Sequence, residues 1–198
     1  MRRRPSLRRA AQGVVKILAE GVLTVTLDEL CAGDEKLTAF FRERVEYYCR
    51  EVRGFAYDEV NAVLAAGYGN LPDALARLEA VQAVRPTADF EPLAAAFKRI
   101  KNILKQAGEV PAGAPDAALF TEQETALAAA SDATDVATGT YSERLARVAL
   151  LRPAVDAFFD KVLVNDPDPK VRENRLRLLT NLINKFSSIA DFSEIVTN

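Results

Sequence analysis

The sequence predicts an all-α protein, a bundle of helices, and three observations carry that expectation. Apolar residues recur at helical spacing along one segment after another, and no stretch keeps the strict alternation of a strand. Alanine and leucine are abundant, while glycine and proline fall mostly between the periodic segments. Hydrophobic residues make up 49% and charged residues 27% of the 198 positions, the balance of a packed globular chain rather than a disordered one. That length holds one domain with a sizeable core, or one domain and an appendage.

Residues 7–20 read as the first helix, with Leu7, Ala10, Ala11, Val14, Val15 and Leu18 on one face and Gly21 as its stop. Thr26 opens a short helix that Gly33-Asp34 ends. In residues 37–52, Leu37, Phe40, Phe41, Val45, Tyr48 and Cys49 or Val52 lie on one side, opposite Arg42, Glu43, Glu46 and Arg50. A shorter helix over 57–66 stops at Gly67-Tyr68-Gly69, and Pro72 suits the first turn of the next, 71–84. Pro86 breaks that helix. Asp89 or the residues just before it can cap another that runs from Phe90 to about Gln106. Residues 108–115 form the clearest loop, and Thr121 with Glu124 matches a capping box for a helix through Ala130. After the break at 138–140, residues 141–164 are helical with an interruption near Pro153. A turn at 165–169 leads to a last helix over roughly 170–189.

The formal net charge is only −2, yet charge is segregated along the chain. Residues 85–105 hold five basic and two acidic side chains, 106–143 hold seven acidic and no basic ones, and 144–177 hold eight basic and five acidic ones. Such blocks can give a weakly acidic chain a local positive face toward phosphates. The absence of histidine excludes an imidazole base, a Ser-His-Asp triad and an imidazole metal site. Cys31 and Cys49 are too few for a four-thiolate zinc site, and Cys49 reads as a small core side chain. No metal, cofactor or catalytic residue is expected. No apolar run reaches the length of a membrane span, and with no signal peptide the chain reads as cytoplasmic. The start, Met1-Arg2-Arg3-Arg4-Pro5, reads as the place where a longer protein has been cut.

The helix over 90–106 carries the most suggestive pattern. With Lys98 as origin on a helical wheel, Lys101, Asn102 and Lys105 fall within roughly 60° of it. Ala96, Phe97, Ile100, Ile103 and Leu104 occupy the opposite side, with Arg99 at the border. The apolar stripe belongs to a core. The cations and the amide suit successive phosphates or a base edge, and equally suit an ordinary solvated lysine face. After Pro153, Val155, Phe158, Phe159 and Val162 form a buried face, and Arg152 reaches Asp156 at i, i+4. In the last helix Arg172 and Arg175 project from the side of Leu176 and Leu179, so they need acidic partners. Asp156 and Asp160 are the natural candidates. Asn174, Arg177 and Asn181 are read as facing outward, free to bind.

Several blocks, in order, resemble the C-terminal end of the β subunit of bacterial glycyl-tRNA synthetase. They are Leu7-Arg8-Arg9-Ala10-Ala11-Gln12-Gly13, Arg44 with Tyr57-Asp58-Glu59-Val60, Asp73-Ala74-Leu75-Ala76-Arg77 and Phe97-Lys98-Arg99-Ile100-Lys101-Asn102-Ile103-Leu104. Arg152-Pro153-x-Val155-Asp156-x-Phe158-Phe159-Asp160, Arg172-x-Asn174-Arg175-Leu176 and Ala190-Asp191-Phe192-Ser193 complete the set. The resemblance implies that residues 1–36 are the helical tail of an HD-like region and residues 37–198 a DALR-type anticodon-binding domain. It also implies an excised or stand-alone module that binds tRNA, glycine tRNA first, and is non-catalytic on its own. Its partners would be the remainder of the β subunit and the α subunit, with no DNA and no membrane. The implied tRNA contacts are Lys98, Arg99, Lys101, Asn102 and Lys105, supplemented by Asn174, Arg177 and Asn181. Two other readings stay open: a helical protein-interaction domain, and the anticodon-binding domain of another synthetase such as the arginine enzyme.

Overall fold

A computed structural model of the chain describes residues 4–110 and 112–197. Met1, Arg2 and Arg3 of the arginine-rich start and Pro111 of the long loop lie outside the described residues. Among the described residues there are ten α-helices and no strand. They are α1 (Arg4–Ala19), α2 (Leu27–Cys31), α3 (Glu35–Tyr47), α4 (Tyr57–Ala65), α5 (Leu71–Val84), α6 (Phe90–Ala107), α7 (Glu122–Ala133), α8 (Tyr141–Ala149), α9 (Arg152–Lys161) and α10 (Pro169–Phe186). Local chemistry sets most of the starts. Thr26, Thr121 and Thr140 form capping boxes with Glu29, Glu124 and Glu143, and Asp34, Asn70 and Asp168 cap with their side chains.

Three details differ from the sequence reading. The helix expected over 37–52 ends at Tyr47 and continues as a π turn, Tyr48–Val52, which Arg53 N–H closes onto Tyr48 C=O. Asp89 makes no side-chain cap on α6; its carboxylate pairs with Arg152 instead. The last helix stops at Phe186, and a short 3₁₀ turn at Phe192–Glu194 follows.

Helix α1 packs on both α3 and α5, α4 lies on α5, and α5 packs against α8. Helix α6 lies against α9, α10 and the C-terminal 3₁₀ turn, while α7 packs on α9 and α10. One core runs through both groups. The first helix, which the resemblance implies is the tail of a preceding region, contributes Ala11, Val15 and Leu18 to that core. Both cysteines are buried and unpaired, and burial pushes the Cys49 thiol up to about 11.

The C-terminal segment is a strap that fastens α4, α5 and α6 together. Phe192 sits between Phe90 and Phe97 of α6 at centroid distances of 6.1 and 5.5 Å, and Phe97 meets Phe186 edge-on at 5.9 Å. The buried Arg77 donates to the carbonyls of Val63, Gly67 and Ile189. Asp58, also buried, accepts from Arg85 at 2.7 Å and from the Val196 N–H at 2.9 Å. Asp191 N–H bonds the Ala62 carbonyl.

These carboxyls set an acid limit on stability. Burial pushes Asp58 up, but hydrogen bonds from Arg85 and Val196 outweigh it and hold the group below its ordinary 3.8. For Asp191 burial is likewise outweighed by Lys101 and Ser193, and for Glu124 by Arg175 and Thr121. A carboxyl whose pKa is depressed on folding contributes stability above its unfolded value and loses it as pH falls through the folded one. Stability is therefore expected to be full at pH 6 and to decline progressively below about pH 4. Urea midpoints measured from pH 6 down to pH 3 check this, and Asp58→Asn is expected to flatten the dependence.

Candidate nucleic-acid interface

Helix α6 is amphipathic, and its packing decides which of its cations are available. Phe90, Leu93, Ala94, Phe97 and Ile100 are buried, whereas Lys98, Asn102 and Lys105, at i, i+4 and i+7, are exposed. Neither lysine has a carboxylate partner among the described residues. Lys105 stands in the last turn before Gly108, where the helix dipole favours a cation.

The two cations beside this stripe are occupied. Lys101 Nζ lies 2.5 Å from Asp191 Oδ2 and 3.7 Å from Glu194 Oε1, so the strap neutralises it. The Arg99 guanidinium stacks 4.1 Å from the centroid of the Phe159 ring on α9. Arg99, Phe159, Asp156 and Asp160 line one shallow concavity with Pro92 and Ala95. The row of five implied contacts on α6 is thus an open stripe of three with an anchored cation on each flank.

The implied contacts on α10 divide. Asn181 is exposed. Arg177 is half-buried and pairs with Glu173, and its Nε is sealed without a hydrogen-bond partner. Asn174 does not face outward: it is buried and exchanges two hydrogen bonds with the Asp116 backbone, 2.6 Å to the N–H and 2.9 Å to the carbonyl. An amide on the buried side of α10 matches both backbone groups of the loop and pins it there.

The ion pairs also differ in partner. Arg175 is buried, but it pairs with Glu124 at 2.9 Å and Asp166 at 2.7 Å rather than with Asp156 or Asp160. The cause is packing: α7 lies against α10 and brings the fully buried Glu124 to it, while Asp156 stands beside Arg152 and Arg99 at the α6–α9 contact. Arg172 donates to the Asp166 carbonyl and likewise makes no pair with either acid of α9. Arg152 pairs with Asp89 at 2.7 Å and reaches Asp156 at 3.4 Å. Asp160 has no ion pair among the described residues.

One buried arginine escaped the wheel of residues 37–52. Arg44 packs on the Phe40 ring and donates to the Phe40 carbonyl and to Glu43. Its signal was positional, since it precedes Val45 on the apolar side of α3. Among the described residues no three Cys, Asp or Glu side chains cluster as a metal site, and no helix is long and apolar enough to cross a membrane.

No family model matches the chain. Individual relatives do. The glycine–tRNA ligase β subunit of Acidobacterium capsulatum is 48% identical over 221 aligned residues, covering 98% of this chain and 31% of that protein. Those of Phenylobacterium zucineum and Geobacter metallireducens are 41% and 38% identical, each covering 96% of this chain and about three tenths of the relative. Over the three tenths of those proteins that it spans, the chain belongs to the glycine–tRNA ligase β-subunit family.

Proposed function

We propose that this chain is a tRNA-binding module that holds an anticodon stem-loop against the outer face of α6 and performs no chemistry itself. The observation that carries the reading is the Lys98–Asn102–Lys105 stripe, exposed on a packed helix and without a neutralising carboxylate among the described residues. Such a stripe supplies two phosphate contacts and one amide able to meet a base edge. Kinship with glycine–tRNA ligase β subunits makes glycine tRNA the expected ligand. On α10 we assign the exposed Asn181 as the supplement to the stripe, whereas Arg177 is held by Glu173 and Asn174 is spent on the Asp116 loop.

In this reading residues 37–198 form a DALR-type anticodon-binding body, and the aminoacylation chemistry belongs to the cytoplasmic enzyme of α and β subunits that the module serves. Val22, Leu23 and Val25, exposed between α1 and α2, suit packing against the remainder of a β subunit. Binding to a panel of tRNAs with exchanged anticodons tests the reading. Glycine tRNA is expected to bind most tightly, and exchange of its anticodon to weaken it by about tenfold or more, on the scale of one lost base-edge contact. Equal binding of all tRNAs and of an unrelated RNA would leave the helical protein-interaction reading in its place.

A further inference from the structure

Two sequence features that the α6 face does not use, the Leu7–Gly13 run and Arg44, meet in one concavity between α1 and α3. It has a volume of about 330 Å³ and is lined by Arg8, Arg9, Gln12, Glu43, Arg44 and Tyr47. Arg44 is its fixed element. The side chain is 9% exposed, held by cation–π stacking 4.3 Å from the Phe40 centroid, with Nη1 donating at 3.0 Å to the Phe40 carbonyl and 2.6 Å to Glu43.

Nε and Nη2 of Arg44 make no hydrogen bond among the described residues. They are not sealed, because among those residues the sealed side-chain donor without a partner is Arg177 Nε. The remaining Arg44 donors therefore keep solvent contact, and Arg44 is one of the residues that line this concavity. Arg8 and Arg9 are exposed at its edge and have no carboxylate partner among the described residues. Three arginines thus line the concavity with one carboxylate, Glu43, which is itself 70% exposed and engaged by Arg44.

We infer that this concavity is a nucleotide site, in which Arg8, Arg9 and Arg44 hold a phosphate and the Tyr47 ring stacks the base. Guanidinium forks match phosphate oxygens in pairs, and a preset one loses little freedom on binding. The Tyr47 ring is 53% exposed, which leaves a face open to a base, and Gln12 offers an amide to the base edge. The site deepens the tRNA-binding reading and rests on it for the source of the nucleotide, a second point of contact on α1 and α3 rather than on α6.

The test titrates the full chain with 5′-AMP and with inorganic phosphate, following the arginine Nε–H and tyrosine ring signals by NMR. AMP is expected to shift the Arg44 and Tyr47 signals and to bind about tenfold more tightly than phosphate, the worth of one stacked base. Arg8→Ala/Arg9→Ala should weaken both ligands by about tenfold, and Tyr47→Ala should bring AMP down to the level of phosphate. Both arginines are exposed, so an unchanged thermal midpoint confirms that the variant is folded. Absent shifts at Arg44 and Tyr47, wild-type affinity in the double variant, or AMP no tighter than phosphate would each overturn the site. The two readings fail separately: loss of tRNA binding in Lys98→Ala/Lys105→Ala with no AMP response sinks only this site. An intact AMP response with unchanged tRNA binding in that variant sinks only the α6 reading.

Discussion

Arg175→Met is expected to destabilise the fold by about 3–5 kcal/mol, the cost of leaving a buried charge without its partner. Glu124 is fully buried, and Arg175 is its only cationic partner among the described residues. With the guanidinium gone, the carboxylate keeps its capping-box hydrogen bond from the Thr121 N–H. Burial then dominates and the Glu124 pKa rises, so the deficit should shrink as pH falls. The double replacement Arg175→Met/Glu124→Leu is expected to recover most of the loss, because an apolar pair of similar volume replaces an ion pair at little net cost. A residue of about 1 kcal/mol should remain from the lost cap. Urea unfolding of the two single variants and the double variant measures the coupling.

Phe158→Ala is expected to cost about 3–5 kcal/mol, as a fully buried aromatic ring replaced by a cavity. Phe158 has no exposed surface and meets Phe159 edge-on at 5.3 Å. It therefore cannot present a face to a base, in keeping with the core assignment drawn from the helical pattern. Phe159 is different. It is half-buried, and Arg99 covers its ring. Phe159→Ala is expected to cost about 1–2 kcal/mol and to release Arg99 from its stack. Thermal melts of the two alanine variants separate these roles.

The helices were legible where capping chemistry and apolar period agreed. Thr121 with Glu124, and Pro72 in the first turn of the helix from Leu71, marked starts that the backbone keeps. The π turn after Tyr47 was not legible, because the apolar pattern runs through it and the next glycine is Gly54. Charge partners were legible in kind only. Arg175 had to be paired, as an arginine on a buried face must be, but the acids of α9 lie much nearer along the chain than Glu124 of α7, 51 residues away, so sequence distance favours the wrong partners. Only the packing of α7 on α10 selects Glu124. The same limit separates the cations of α6. A wheel places Lys98 and Lys101 on one side, yet the acids that occupy Lys101 lie ninety residues away on the strap, a contact no local spacing encodes. Asn174 failed for a related reason. Its partner is a loop backbone, and loop backbones have no sequence signature.

The stripe on α6 is tested most directly by the salt dependence of glycine tRNA binding in Lys98→Ala/Lys105→Ala. Each phosphate contact contributes about 0.7–0.9 to the slope of log affinity against log salt, so the double variant should bind more weakly, with a slope smaller by about 1.5. Lys101→Ala, whose amine is held by Asp191 and Glu194, should change the slope less than Lys98→Ala does. A double variant that binds with wild-type affinity and wild-type slope would contradict the assignment of this face to RNA.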